Sequence, residues 1–506
     1  MSGKTRLAVG VLSTGLVMGL LADGLLRTGP WGLNFFAWIA MLVAVLLVLS
    51  ARHGVKLAGG GRWLLIPAIL FAATFMLRDS HVLKLLSFIA VAVSMSLATI
   101  RARAGSVRVS SIVHYILGFI ITSIAACIGV PLLVLGDVEW KEAAGGGRMG
   151  RALALARGSL FALPPVIVFA ALLMQADPVF DKIIKAVFYI DFTTLLSHLF
   201  LIAFFAWVTA GYFRGVLYEW DVPVNVGAPS KTFGIGIIET GIVLGAIDLL
   251  FLSFVLVQLR YLFGGHALVQ ATTGLTYAEY ARRGFFELSA VAALVLPLLL
   301  GMHWLLRKDN PSHARTFRVL AGFQIVLLFV IIASAAQRMR MYQLEYGLTE
   351  LRVYTMAFII WLAVVFLWFA VTVLAGHRER FIFGAMISGF LAIAALQAIN
   401  PDALIARTNL ARAREGRRFD ARYVASLDAD AVPELLAALP SLTAQDQCTV
   451  AERLLKRRSR TELMDWRTWN YARVSADKMT DSASLMLRGM TCPAADVSGV
   501  EIVPGS

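Results

Sequence analysis

The stretch 236-GIIETGIVLGAIDLLFLSFVLVQ-258 decides the fold. Wound as a helix at about 1.5 Å per residue, it is long enough to cross a hydrocarbon core of about 30 Å. Backbone groups in lipid must be bonded within the segment, which makes a helix the required form. It also carries two acids. Glu239 and Asp248 are nine positions apart, about 900° of helical rotation, so they point to opposite faces and cannot form a carboxylate pair. Glu239 is near an end. Asp248 falls about mid-bilayer, the costliest place for a charge, and is expected to face the bundle interior with a hydroxyl, His or Arg partner.

Such runs recur along the whole chain. The sequence has 506 residues, 59% apolar and 15% charged, with mean hydropathy +0.75. A soluble chain has about a quarter of its residues charged. By length and apolarity about twelve spans are predicted, near 7–26, 31–50, 63–77, 82–100, 110–136, 154–175, 193–213, 236–258, 284–306, 316–337, 353–375 and 381–398. The predicted fold class is therefore all-α: a polytopic transmembrane helix bundle over 1–399. The turn 78-RDSH joins the third and fourth runs as a helical hairpin. The run 110–136 is long, with Pro131 near its end, so a kink or early stop is expected there. In 177-DPVFDKIIKAVFYIDF-192, Val179, Phe180, Ile183, Ile184, Val187 and Phe188 repeat at helical spacing between charges. That is an amphipathic helix, either lying in the interface or packed on the bundle.

The net charge of +14 does not point to nucleic acid. Residues 1–399 hold 31 Lys and Arg against 18 Asp and Glu, and residues 400–506 hold 15 against 14. The excess thus lies in short loops, the pattern that orients membrane proteins with basic loops in the cytoplasm. With the N-terminus cytoplasmic, Arg52, Lys56 and Arg62, then Arg101, Arg103 and Arg108, fall on the cytoplasmic side. Past residue 136 the loops with Lys141 and Arg148, and with Arg307 and Lys308, fall on the wrong side. If 110–136 does not cross fully, every later loop flips and the tail becomes extracytoplasmic. The start 1-MSGKTRLAVGVLSTGLVMGL has no small-x-small cleavage site after it and is read as a retained first helix.

At 400-NPD the character changes to ordinary amphipathic sequence, predicting a small helical C-terminal domain over 400–506. Asp428 or Asp430 is expected to cap a short helix with Pro433 in its first turn. Ser459 and Glu462 fit a capping box before 463-LMDWRTWNYARV. Cys448 and Cys492 lie in this tail, either bonded, if it is outside the cytoplasm, or free. Cys127 reads as a small core residue.

No convincing Gly-x-Ser-x-Gly, His-Glu-x-x-His, phosphate-loop or zinc pattern is present. No cofactor and no metal is expected, and the catalytic residues, if any, stay unassigned. The glycines of 144-AGGGRMGRALALARG follow no strand and read as a loop. What remains are ionisable groups in or beside spans. Asp248 and His198 are the deep ones. Two tyrosine- and arginine-rich clusters flank later spans on one membrane side. The first comprises 257-VQLRYLFGGHALVQ and 274-GLTYAEYARRGFFEL, with Arg260 and a Thr276/Glu279 capping box. Its Glu279, Arg283 and Glu287 form a ladder of alternating sign. The second is 338-RMRMYQLEYGLTELRVYT-355, with Arg338, Arg340, Glu345, Glu350 and Arg352. As one rim they suit an anionic solute or lipid headgroup, or else they bridge internally to their own glutamates.

The stretches 176-ADPVF, 258-QLRYLFGG, 274-GLTYAEYARRGFFEL, 340-RMYQLEYGLTELRVYT and 420-DARYVASLDADAVPELL resemble a family of bacterial multi-pass membrane proteins filed as domain of unknown function 4153 (also 4173). The likeness covers about 155–475. It implies a bacterial inner-membrane protein and carries over no activity and no site residue. Three function classes stand at this point. One is a secondary carrier for a small anionic or lipid-like solute, using Asp248. Another is a membrane-embedded enzyme acting on lipid headgroups or lipid-linked substrates at the rim. The third is a sensor or scaffold acting through the tail.

Overall fold

The computed structural model describes residues 2–55, 61–104, 112–140, 148–188, 192–218, 235–273, 285–306, 311–377, 380–459 and 465–490. Among these, secondary structure is helical apart from a single isolated bridge between Ile235 and Leu306. In chain order the bundle helices are α1 Gly3–Leu26, α2 Leu33–Arg52, α3 Gly61–Leu77, α4 His81–Ala104, α5 Ile112–Leu132, α6 Arg148–Ala176, α7 Pro178–Phe188 and α8 Phe192–Leu217. They continue with α9 Ile237–Thr273, α10 Phe285–Leu305, α11 Pro311–Tyr346, α12 Glu350–Phe369 and α13 Phe381–Ile399. Each predicted span has a helix at its place. Nine helices among the described residues are long and apolar enough to cross a membrane, and two further apolar helices are shorter, Trp63–Leu77 and Ala126–Asp137. The chain is an all-α polytopic membrane protein.

Local chemistry places the ends. Ser2 caps α1 through the Thr5 amide. Asp177 accepts from the Val179 and Phe180 amides and so starts the amphipathic α7, where Val179 and Ile183 stay exposed. The run after Pro131 ends in a π-helical turn, Leu133–Asp137.

The bundle has two packed halves. The first joins α1–α4 and α8 around Met18, Leu46 and Phe213. Here α1 and α8 meet through small residues: a Cβ on Gly19 would stand 2.4 Å from the Ile202 carbonyl oxygen, and one on Gly15 would stand 2.8 Å from the Ala210 Cβ. The second half joins α9–α13 around Leu299, Leu328, Phe366 and Phe369. The outer surface is apolar, with Leu16, Leu249 and Leu256 more than half exposed, as a lipid-facing wall requires.

The two ends of α1 carry different neighbours. Near its start, Lys4 lies 3.3 Å from Asp137, the Glu139 amide donates to Thr5 Oγ1, and Tyr218 donates to the Lys4 carbonyl. Arg214 completes the pair with Asp137 at 2.7 Å. Near its other end, Arg467 donates to the Gly24 carbonyl, and the Leu33 amide donates to the Trp469 carbonyl at 2.9 Å. The C-terminal helices thus sit at the bundle end opposite the N-terminus, and the close of the 110–136 run sits with the N-terminus.

After Asn400 come α14 Pro401–Arg414, α15 Ala421–Ser426, α16 Val432–Ala438, α17 Ala444–Ser459, α18 Tyr471–Ser482 and α19 Ser484–Arg488. They share a core of Ile405, Leu435, Leu439 and Val450, with Leu348 and Val353 of the bundle packed on it. Pro433 stands in the first turn of α16 as expected, but neither Asp428 nor Asp430 caps it: the N-cap is Ala431, and the Asp430 carboxylate is engaged by Arg78 and the Asp79 amide. Ser459 is the last residue of α17, its proposed capping partner Glu462 lies outside the described residues, and after a 3₁₀ turn at Trp466–Thr468 the next described α-helix starts at Tyr471. Its N-cap is Asn470, fully buried. It accepts from the Arg473 amide and donates to the Phe75 and Arg78 carbonyls of the bundle, so the helix start is tied to the bundle. Cys448 is disulfide-bonded, and Cys127, expected as a small core residue, is instead an exposed free thiol. Cys492 lies outside the described residues.

Candidate functional site

Two polar regions stand out in this apolar molecule. The first is the seam between α9 and α11. The start of α9 bonds to the end of α10, the Ile235 amide donating to the Leu305 carbonyl at 2.9 Å. Helix α11 begins six residues later, so α9 and α11 leave one bundle end in the same direction. Ser334 donates a short hydrogen bond to Gln258 across the seam, which fixes the register. Ten residues back on each helix are Asp248 and Gln324. Ten is the a-to-d spacing of a heptad, so all four residues lie on the packed face. Asp248 is 4% exposed and Gln324 fully buried. Both oxygens of Asp248 and both polar atoms of Gln324 lack a hydrogen-bond partner among the described residues. The partner expected for Asp248 is therefore not found. Leu244 and Phe251, one turn either side of it on α9, and Ile325 and Leu328, beside Gln324 on α11, are buried and apolar. Glu239 is exposed, on the opposite face as the spacing requires.

His198 does not join Asp248. It lies on α8, its Nδ1 2.6 Å from Asp23 of α1, and Arg27 approaches the same carboxylate at 3.5 Å. Glu279 and Arg283 lie outside the described residues, and so does the side chain of Arg260. Glu287 is exposed in the first turn of α10. Arg338 is half-buried, and Arg340 and Glu345 are exposed.

The second region is the junction of bundle and C-terminal helices, where Glu350 and Arg352 lie. Arg352 was expected either to bind an anion or to bridge a glutamate. It instead donates to the Tyr346 and Gly347 carbonyls at 3.2 and 2.5 Å and stacks 4.0 Å from the Tyr342 ring centroid. Arg412 of α14 donates to the carbonyls of Gln343, Leu344 and Glu345. Both guanidinium groups therefore bond carbonyls at and just past the end of α11, where the helix dipole also favours a cation.

Beside this cap, acids gather from four segments. Glu350 opens α12, Asp402 stands second in α14, and Asp428 precedes the 3₁₀ turn Ala429–Ala431. Positive helix N-termini at all three positions favour carboxylates locally. One oxygen from each lies within 4.8 Å of the others. Asp430 accepts from Arg78 at 3.1 Å and from the Asp79 amide at 2.7 Å. Asp79 is bound by Lys84 at 2.7 Å and approached by Arg473 at 3.4 Å. Burial raises the Asp79 carboxyl, but Lys84 and Arg473 outweigh it and hold it below its usual range. Asp402 has no such base. It is fully buried, and neither oxygen has a hydrogen-bond partner among the described residues. Burial first, then the charges of Asp428 and Glu350, push its carboxyl up to about 8. Tyr423 accepts from the Glu350 amide, Tyr354 and Ser80 share a hydrogen bond, and His81 Nδ1 lies 3.0 Å from Asp428.

Sequence reading missed this cluster. Its pieces are 78-RDSH, 349-TE, 400-NPD and 426-SLDAD. Each has a local reading as a turn or cap, and they are up to about 350 residues apart. The remaining signal is that acids are scarce before residue 400 and yet appear in these short turns.

A helical bundle with an apolar outer wall and a polar seam inside it defines a polytopic integral membrane protein. The chain belongs to the family described as domain of unknown function (DUF4153), whose profile matches residues 65–438. No curated protein and no solved structure matches it.

Proposed function

We propose that the protein is a secondary carrier, with Asp248 as its proton- or cation-binding residue and Gln324 as the polar group at the same level. The observation that carries this reading is the seam itself: a buried carboxyl and a buried amide without protein partners, far from either end of long membrane helices. Leaving such groups unbonded costs on the order of 1–3 kcal/mol each, a cost that a bound proton, ion or solute group removes. The cargo class remains a small anionic or lipid-like solute, with the exposed Arg340 at the bundle end where α11 closes.

The reading includes an orientation. Arg52, Arg315 and Arg318 stand at or beside the N-terminal end of the bundle, and Arg148 follows the segment that closes there. Positive loops favour the cytoplasm, and on this reading the C-terminal domain over 400–506 lies outside a bacterial inner membrane. The disulfide at Cys448 supports an oxidising surrounding.

The test is reconstitution into vesicles that trap a pH-sensitive dye, with acetate, lactate and phosphate as probes. Wild-type protein is expected to move protons with at least one probe. Asp248→Asn is expected to slow that flux at least about tenfold while melting no lower than wild type, because a buried acid becomes a neutral isostere. Undiminished flux in Asp248→Asn overturns the reading.

A further inference from the structure

Four of the five acids at the junction fall into two kinds. Asp79 and Asp430 are matched: Lys84 and Arg473 serve the first, and Arg78 serves the second. Glu350 and Asp402 make no ion pair among the described residues. Asp428 has only His81, whose side chain is 85% exposed. Three carboxylates with one exposed imidazole leave a concentrated negative charge around Asp402, which is cut off from water. Unpaired buried charge of this kind is not left standing in a folded chain. It is neutralised by a proton or by an ion.

We propose that Glu350, Asp402 and Asp428 bind one hard divalent cation of the Ca²⁺, Mn²⁺ or Mg²⁺ class. The geometry suits it. Oxygen ligands stand about 2.0–2.6 Å from such ions, so two ligands of one ion are at most about 5 Å apart. The three oxygens meet that limit, all within 4.8 Å. Asp402 supplies the observation independent of acid clustering: a fully buried carboxylate, both oxygens unbonded, among the other two acids. An all-carboxylate set selects hard ions over zinc or copper. His81, on Asp428, is then a positioning residue that fixes the carboxylate's orientation.

The ligands come from different parts of the molecule. Glu350 belongs to a membrane helix, Asp402 to the first helix after the bundle, and Asp428 to the C-terminal core. A bound ion therefore joins the tail to the bundle end, beside the Arg78–Asp430 pair. This inference rests on neither Asp248 nor transport.

The experiment uses full-length protein in an uncharged detergent, stripped with EDTA and titrated with Mn²⁺ under electron paramagnetic resonance. The expected result is one saturable Mn²⁺ per chain, displaced by excess Ca²⁺ or Mg²⁺, with a rise in melting temperature on loading. Asp402→Asn and the more exposed Asp428→Asn are each expected to weaken binding at least about tenfold, since affinity follows the number of ligand charges. Glu434→Gln, at a surface acid paired with Arg407, is expected to bind as wild type. Absence of a saturable Mn²⁺ in wild type overturns the proposal, even if the variants fail to fold. So does unchanged binding in folded Asp402→Asn or Asp428→Asn.

Discussion

Gly347 shows how one residue is held by two demands. Its φ is +76°, in the left-handed region, and a Cβ would stand 2.3 Å from Asn409 Oδ1. Asn409 reaches there to accept from the Leu348 amide and donate to its carbonyl, both at 2.8 Å, tying α14 to the loop before α12. An alanine at 347 thus adds backbone strain of about 1–2 kcal/mol and also displaces Asn409. Gly54 offers the control, with φ +66° and open space around it. Gly347→Ala is expected to lower stability by about 2 kcal/mol or more, and Gly54→Ala by about half of that, read from melting of the detergent-purified protein. Equal losses would show that only the φ matters and that the Asn409 contact contributes nothing. At this scale the sequence was partly legible. The polar cluster 338-RMRMYQLEYGLTELRVYT-355 marked the neighbourhood, but the tie of Gly347 to Asn409, 62 residues on, left no local trace.

At the scale of elements, what was legible follows from the solvent. Lipid demands internally bonded backbone, so hydropathy located the long apolar helices among the described residues, while α7 was legible only from its amphipathic period. Capping chemistry was less reliable. Asn470 opens its helix while also bonding the bundle carbonyls of Phe75 and Arg78, a long-range tie that no local sequence pattern displays. Helix pairing was illegible from hydropathy too, because lipid is as apolar as a helix interface. There the signal is residue size. In α1, Gly15 and Gly19 bring α8 close enough that a Cβ on Gly19 would lie 2.4 Å from a carbonyl oxygen. Backbone cannot yield as a side-chain tip does, so Gly19→Ala should force the helices apart at a cost of about 1–3 kcal/mol. Gly24→Ala, on the same helix with nothing within 4 Å, should be neutral or better. The two melting curves check this, and a Gly19→Ala protein as stable as wild type would mean that α1 and α8 do not pack as described.

The whole molecule is organised by the axis of α1, about 36 Å long for its 24 residues. At one end Lys4 and Arg214 share Asp137, and at the other the C-terminal helices dock through Trp469, Arg467 and Asn470. The acid cluster of Glu350, Asp402 and Asp428 belongs to this scale, since only tertiary folding assembles it, and for that reason no window of sequence displayed it. Putting Asp137 beside Lys4 also changes the charge pattern. The basic residues Arg315 and Arg318, which follow the loop of Arg307 and Lys308 that fell on the wrong side when spans were simply alternated, open α11 at the end opposite the tail. An impermeant maleimide tests the resulting orientation in intact cells. Gly3→Cys, in a background with Cys127→Ser, adds a thiol where nothing lies within 4 Å. It should label only after the membrane is permeabilised. Cys448, bonded in the native protein, should label from outside once an impermeant reductant is added. Because the two positions lie at opposite bundle ends, labelling of both from the same side would contradict the fold itself as well as its orientation. Labelling of Gly3→Cys from outside, with Cys448 protected, would leave the fold standing and invert the membrane assignment.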